Sequence, residues 1–128
     1  MQYYLSKTVD KTFDQAIDAV TKALSDEGFG ILTDIDVKET LKKKLDLDFR
    51  KYRILGACNP RYAYKALEAE DKIGVMLPCS VIVQETSDGK VEIAAMDPVP
   101  VMEVIENRAL ATVAHDVRDR LVAALENV

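Results

Sequence analysis

The apolar positions of this chain switch rhythm repeatedly, from every second residue to every third or fourth and back, and each switch marks a change of element. Residues 2–9 alternate as a first strand, with Tyr3, Leu5 and Val9 toward one side and Tyr4 toward the other. A helix follows. Thr12 and Gln15 have capping-box spacing, and Phe13, Ile17, Val20 and Leu24 form an apolar stripe that Gly28 terminates. "FGILTDIDV" alternates again, placing Ile31, Ile35 and Val37 on a buried face and Asp34 and Asp36 on the opposite one. "KETLKKKLDLDF", with Leu41 and Leu45 four apart among lysines, predicts a short amphipathic helix lying on the body of the domain.

The third strand is "YRILGACN", and the chain changes character just after Cys58. Asn59 suits an N-cap, and Pro60 suits the first helical position, where a missing N–H costs nothing; a helix over about 60–71 is expected. "IGVMLP" is an apolar connection containing glycine and proline. "CSVIVQET" and "KVEIAAMD" then flank Ser87-Asp88-Gly89, a strong hairpin signal because both turn residues tolerate positive φ. "PVPVMEVIE" predicts one turn of helix. Leu110, Val113, Val117, Leu121 and Leu125 give a long helix over 107–126 one face wide enough to cover a sheet.

The order β-α-β-α-β-α-β-β-α predicts an α+β fold: a single five-stranded antiparallel or mixed sheet with its helices packed on one face. A length of 128 residues, with no repeat, linker or low-complexity segment, is read as one domain over residues 1–128. Apolar runs are too short and interrupted to span a bilayer, and the N-terminus lacks the zones of a signal peptide, so a soluble cytoplasmic protein is expected. Cys58 and Cys79 are then expected as reduced thiols.

The net charge of −5 disfavours non-specific nucleic-acid binding. Its distribution is uneven. Residues 38–65 hold nine basic side chains against three acids, a local +6 against −11 elsewhere. Lys42, Lys43, Arg50, Lys51, Arg53 and Arg61 in this stretch are candidates to frame an anionic ligand or to dock an acidic partner, including a second copy of the chain. A solvated helix face is the competing explanation.

Three motifs, "ILGACNP", "MLPCSV" and "AAMDP", occurring in this order together with "GFGILTDIDV", resemble the bacterial and archaeal family known as domain of unknown function 302. The resemblance extends over nearly the whole chain. It implies a TATA-binding-protein-like α+β fold, with a curved antiparallel sheet gripped by helices, often as a dimer. It implies no reaction and no catalytic residue. Sharing that architecture does not imply DNA binding, since one fold hosts unrelated functions.

Candidate chemistry centres on the two thiols. Helix entry at Asn59 and Pro60 would set Cys58 near backbone donors and the positive end of a helix dipole, conditions that favour a thiolate. The alternative is a small apolar plug, with Gly56, Ala57 and Cys58 letting a helix approach the sheet. Cys79 follows Pro78 at the start of a strand and is either a buried strand residue or a partner sulfur. Asp34 and Asp36, with Asp97, are either an acidic site or the wet face of a sheet. Cys58, Cys79, His115 and Asp97 lack metal-ligand spacing, and "GFG" ends a helix rather than opening one, so neither a metal nor a nucleotide cofactor is expected.

Two functions follow as expectations. The first is a dimeric binding protein for a small ligand or partner, with a largely apolar cavity near Cys58, Asn59, Pro60, Pro78, Cys79 and Asp97. The second is a thiol-dependent redox or sulfur-handling protein using Cys58 and, with it, Cys79.

Overall fold

The structure, a computed structural model, describes residues 2–128. Its elements run β1 (Tyr4–Val9), α1 (Phe13–Asp26), β2 (Gly30–Asp36), α2 (Val37–Leu45), β3 (Tyr52–Cys58), α3 (Pro60–Ala69), a 3-10 turn (Ile73–Met76), β4 (Cys79–Glu85), β5 (Val91–Met96), α4 (Pro98–Glu103) and α5 (Arg108–Glu126). This is the α+β order expected from the sequence. One sheet, ordered β1-β5-β4-β3-β2 with every neighbouring pair antiparallel, carries the helices on one face.

Local chemistry explains most boundaries. The Thr12 hydroxyl accepts from the Gln15 amide at 3.1 Å, and the Gln15 side chain accepts from the Thr12 amide at 3.0 Å, so two orphan donors of α1 are satisfied reciprocally. Gly28 adopts φ +90 beyond the helix C-cap, a conformation that a side chain would strain. The β4–β5 hairpin turns at Gly89, φ +80, and closes where the Thr86 amide donates to the Lys90 carbonyl at 2.7 Å.

The core lies between the sheet and the stripes of α1 and α5. Val20 and Leu24 of α1 and Leu121 and Leu125 of α5 pack with Leu55, Val81, Val83, Ile93 and Ala95, the residues that alternate onto the helix-bearing face. A smaller cluster of Ala66, Ile73, Met102, Leu110 and Ala114 fills the space among α3, the 3-10 turn, α4 and α5. Val113 packs against both. Lys7 belongs to the helix side as well: its Nζ donates to the carbonyls of Leu125 and Val128, both at 3.0 Å, placing a cation at the C-terminal end of α5.

β2 departs from the sequence expectation. Ile31 pairs with Ala57, but Thr33 pairs with Gly56, so the register slips by one at Leu32. A bulge of this kind sends every later side chain to the other face. Asp34 and Asp36 therefore lie opposite Leu55 and Arg53 on the helix side, while Ile35 opens onto the free face and is 48% exposed. Val37 begins α2 rather than ending the strand. Because β2 is an edge, no helix stacks deeply over it, and α2 buries none of its residues; Leu45 is 63% exposed.

Candidate functional site

At the end of β3 the backbone leaves strand geometry after Cys58 and becomes helical at Pro60. Asn59 takes the N-cap position with φ −104 and ψ 102, but its side chain does not cap α3. Instead its Nδ2 donates to the Glu27 carbonyl at 3.2 Å, tying the start of α3 to the end of α1. The capping expectation is thus met by position and corrected in chemistry.

The next strand reaches the same place by register. Ala57 pairs with Cys79, so Cys58 lies one residue beyond the partner of the second sulfur. Cys79 is preceded by a cis Leu77–Pro78 bond. The Pro78 ring occupies space that Gly56 leaves open: a Cβ on Gly56 would stand 2.8 Å from Pro78 Cγ and would collide with the Thr33 hydroxyl. The small residue at 56 therefore accommodates a proline and a threonine, not an approaching helix.

These elements enclose a cavity of about 40 Å³ beneath α3 and α5. Ala57, Cys58 and Cys79 form its sheet wall, Tyr62 and Ala66 its α3 wall, and Ala114 part of its α5 wall. Small side chains meet here from both sides, where the two hydrophobic clusters abut, and so the interior is not filled. Both cysteines are free; Cys58 is half-buried and Cys79 is buried. Burial, with a smaller contribution from Cys58, pushes the Cys79 thiol up to about 11.

Among the expected residues, Cys58, Asn59, Pro78 and Cys79 line this cavity. Pro60 lies outside it, in an open groove with Arg61. Asp97 lies apart, at the end of β5. Its Oδ1 accepts from the Val99 amide at 3.0 Å, capping α4, and its Oδ2 accepts from Arg118 Nε at 3.1 Å, anchoring α5. Asp97 is 7% exposed, a buried carboxylate supplied with its own cation and donor.

The acidic grouping of Asp34, Asp36 and Asp97 does not assemble. β5 and β2 are separated by β4 and β3, and each carboxylate is already engaged. Arg53 binds Asp34 through Nε and Nη2, which holds the Asp34 carboxyl below its ordinary value and raises Arg53. The Asp36 side chain accepts from the Glu39 amide at 3.0 Å as the N-cap of α2. Among the described residues no group of three His, Cys, Asp or Glu side chains is placed to hold a metal ion.

The basic stretch also divides. Lys42 of α2 pairs with the C-cap residue Asp46 at 2.8 Å, and Lys43 pairs with Glu39 within the helix at 2.8 Å. Arg50 donates to Gln84 at 3.0 Å and lies over the Phe49 ring, and Lys51 lies over Phe13. Arg61 is at the opposite end of β3. It joins Lys65 of the same basic stretch and Arg120, which the sequence does not point to because it comes from α5, far along the chain.

Fold and cavity together define an α+β domain with one antiparallel sheet, a single helical layer and an apolar pocket at their seam. Residues 5–128 match the family model described as domain of unknown function DUF302, and the chain belongs to that family. It is similar to an uncharacterized conserved protein DUF302 from Bacillus stearothermophilus seen in a crystal structure, with 30% identity, 99% of this chain and 98% of the other covered, and a TM-score of 0.93. Comparison with curated proteins gives no match. Among the described residues no helix is long and apolar enough to cross a membrane.

Proposed function

We propose that this domain is a binding module that encloses a small apolar group in the cavity between Cys58, Cys79 and Ala66, and that it works as a homodimer in the cytoplasm. The cavity carries this reading. It lies beside the point where strand β3 turns into α3, it is bordered mainly by apolar side chains, and few titratable groups reach it. A water needs roughly 10–15 Å³ of such space and two or more polar partners, so about 40 Å³ of mostly apolar space suits a hydrocarbon group better than water.

Xenon titration followed by methyl NMR tests the reading. The Ala66 and Ala114 methyls should shift and saturate, and Ala66→Leu, which fills the space, should abolish the response. Methyl shifts that stay fixed under xenon pressure sink it.

Pairing is supported by the open face of the sheet. Ile35 stands opposite Ile54, Ile54 opposite Ile82, and Ile82 opposite Ala94, an apolar row that crosses four strands with no helix over it. Five strands at about 4.8 Å spacing and three outward rows give a footprint of roughly 500 Å², which fits the weak end of specific interfaces. Sedimentation should show a concentration-dependent dimer that Ile82→Glu disrupts; a wild-type monomer at every concentration refutes pairing.

The thiol-dependent alternative draws support from the shared cavity wall. Against it stands the protonated state of Cys79 at neutral pH, which withholds the thiolate that redox or sulfur-transfer chemistry uses.

A further inference from the structure

Beside the cavity, where α1 ends and α3 begins, runs a groove of about 610 Å³. Asn59 and Tyr62 line both spaces, so the apolar interior and the polar groove share a wall. The groove is cationic in an acidic chain. Arg61, Lys65 and Arg120 border it, against Asp26 and Glu27. Asp26 is already paired with Lys22 at 3.1 Å, and Glu27 has only a distant contact with Arg120 at 3.8 Å. Among the described residues Arg61 and Lys65 form no ion pair.

Tyr62 organises this edge. Arg120 Nε donates to its hydroxyl at 3.1 Å, and Lys65 Nζ and Arg120 Cζ stand 5.5 and 5.6 Å from its ring centroid. One aromatic side chain thus borders the apolar cavity and also holds two cations beside the groove.

We propose that cavity and groove form one amphiphilic site for a short-chain carboxylate, its alkyl end in the cavity and its head held by Arg61, Lys65 and Arg120 beside Tyr62. This rests on the cavity reading and adds the head group and chain length. Planar arginine forks match a carboxylate in two-point contact, which an alcohol of equal length cannot accept. A cavity of about 40 Å³, room for about three water molecules, limits the enclosed part to about three carbons. Butanoate is the chain that fits.

NMR titration of the full chain with sodium acetate through octanoate, and with the matching alkanols, tests this. Affinity should rise about fourfold per methylene until the cavity is full near butanoate and pentanoate, then level off. Butanoate should bind at least tenfold more tightly than 1-butanol. Added salt should erode that preference, and an Arg61→Gln/Lys65→Gln variant should remove it without altering alkanol binding. If butanol and butanoate bind alike, or the double variant keeps the preference, the carboxylate assignment is overturned while the cavity reading stands. If neither compound moves the Ala66 and Ala114 methyls, the cavity reading falls and this inference with it.

Discussion

Asn59 Nδ2 lies 3.2 Å from the carbonyl oxygen of Glu27, thirty-two residues earlier, and this one bond joins the end of α1 to the beginning of α3. It also fixes the residue shared by the cavity and the cationic groove. The turn it braces contains Gly28 at φ +90, where an added Cβ would come within 3.1 Å of the same Nδ2.

Asn59→Ala should therefore lower unfolding stability by about 1 kcal/mol, the usual worth of a neutral hydrogen bond. Gly28→Ala should cost more, roughly 1–2 kcal/mol from the left-handed backbone alone. Chemical denaturation measures both. A Gly28→Ala protein as stable as wild type would contradict the strained turn.

Gly56 offers a comparison within the protein. A Cβ there would stand 2.8 Å from Pro78 and would strike the Thr33 hydroxyl, whereas at Gly74 it would meet nothing within 4 Å. Gly56→Ala should destabilise by about 1–3 kcal/mol through overpacking. Gly74→Ala should stay within about 0.5 kcal/mol of wild type. Because Pro78 lines the cavity, Gly56→Ala should also shift the Ala66 methyl resonance, which NMR checks directly.

The Arg53–Asp34 pair predicts an acid limb. Asp34 has its folded pKa lowered by the Arg53 hydrogen bonds, so its stabilisation is present above the unfolded value of 3.8 and is lost as pH falls through the folded value. Both partners are partly exposed, with side chains 27% and 39% accessible, so solvent keeps the gain below about 1 kcal/mol. Arg53→Met should lower neutral-pH stability by that amount and flatten the stability profile below about pH 4. An unchanged acid limb in the variant would remove the pair from the account.

Cys79 predicts the opposite limb. Its folded pKa is raised from 9.0 to about 11, so above pH 9 the unfolded chain releases a proton that the folded chain retains. The Cys79 contribution should be level below pH 9 and should fall between pH 9 and 11, by about 2–3 kcal/mol in all. Iodoacetamide should modify Cys79 in native protein at neutral pH far more slowly than in urea, with mass spectrometry assigning the sites. Equal rates in the two conditions would show that the sulfur is not buried and that its pKa is not raised.

Much of this architecture was legible because local signals agreed with one another. Thr12 and Gln15 announced α1, Pro60 opened α3, and Asp88-Gly89 turned the hairpin, each through backbone chemistry within a few residues. The strand-to-helix change after Cys58 was legible for the same reason. β2 was not, because a bulge at Leu32 leaves no reliable mark on an alternating pattern, and one inserted residue exchanged the faces of Ile35 and Asp34.

The candidate site was half legible. Cys58, Asn59, Pro78 and Cys79 lie beside recognisable boundaries, and they converge because β3 and β4 pair in one register. Tyr62, Ala66 and Ala114 looked like ordinary helix residues, and Arg120 belongs to another helix altogether. Asp97 looked like a candidate acid, yet its carboxylate is engaged by Val99 and Arg118.

By itself the amino-acid order determined which segments became strands and helices and, outside β2, which face of each was apolar, since periodicity, caps and turn residues act over short distances. Strand order, the slip in β2, the capture of α5 by Lys7 and Asp97, and the unfilled space at the seam were decided only by tertiary packing. Those features depend on pairings between residues distant in sequence, where the shapes and charges of both partners must fit at once.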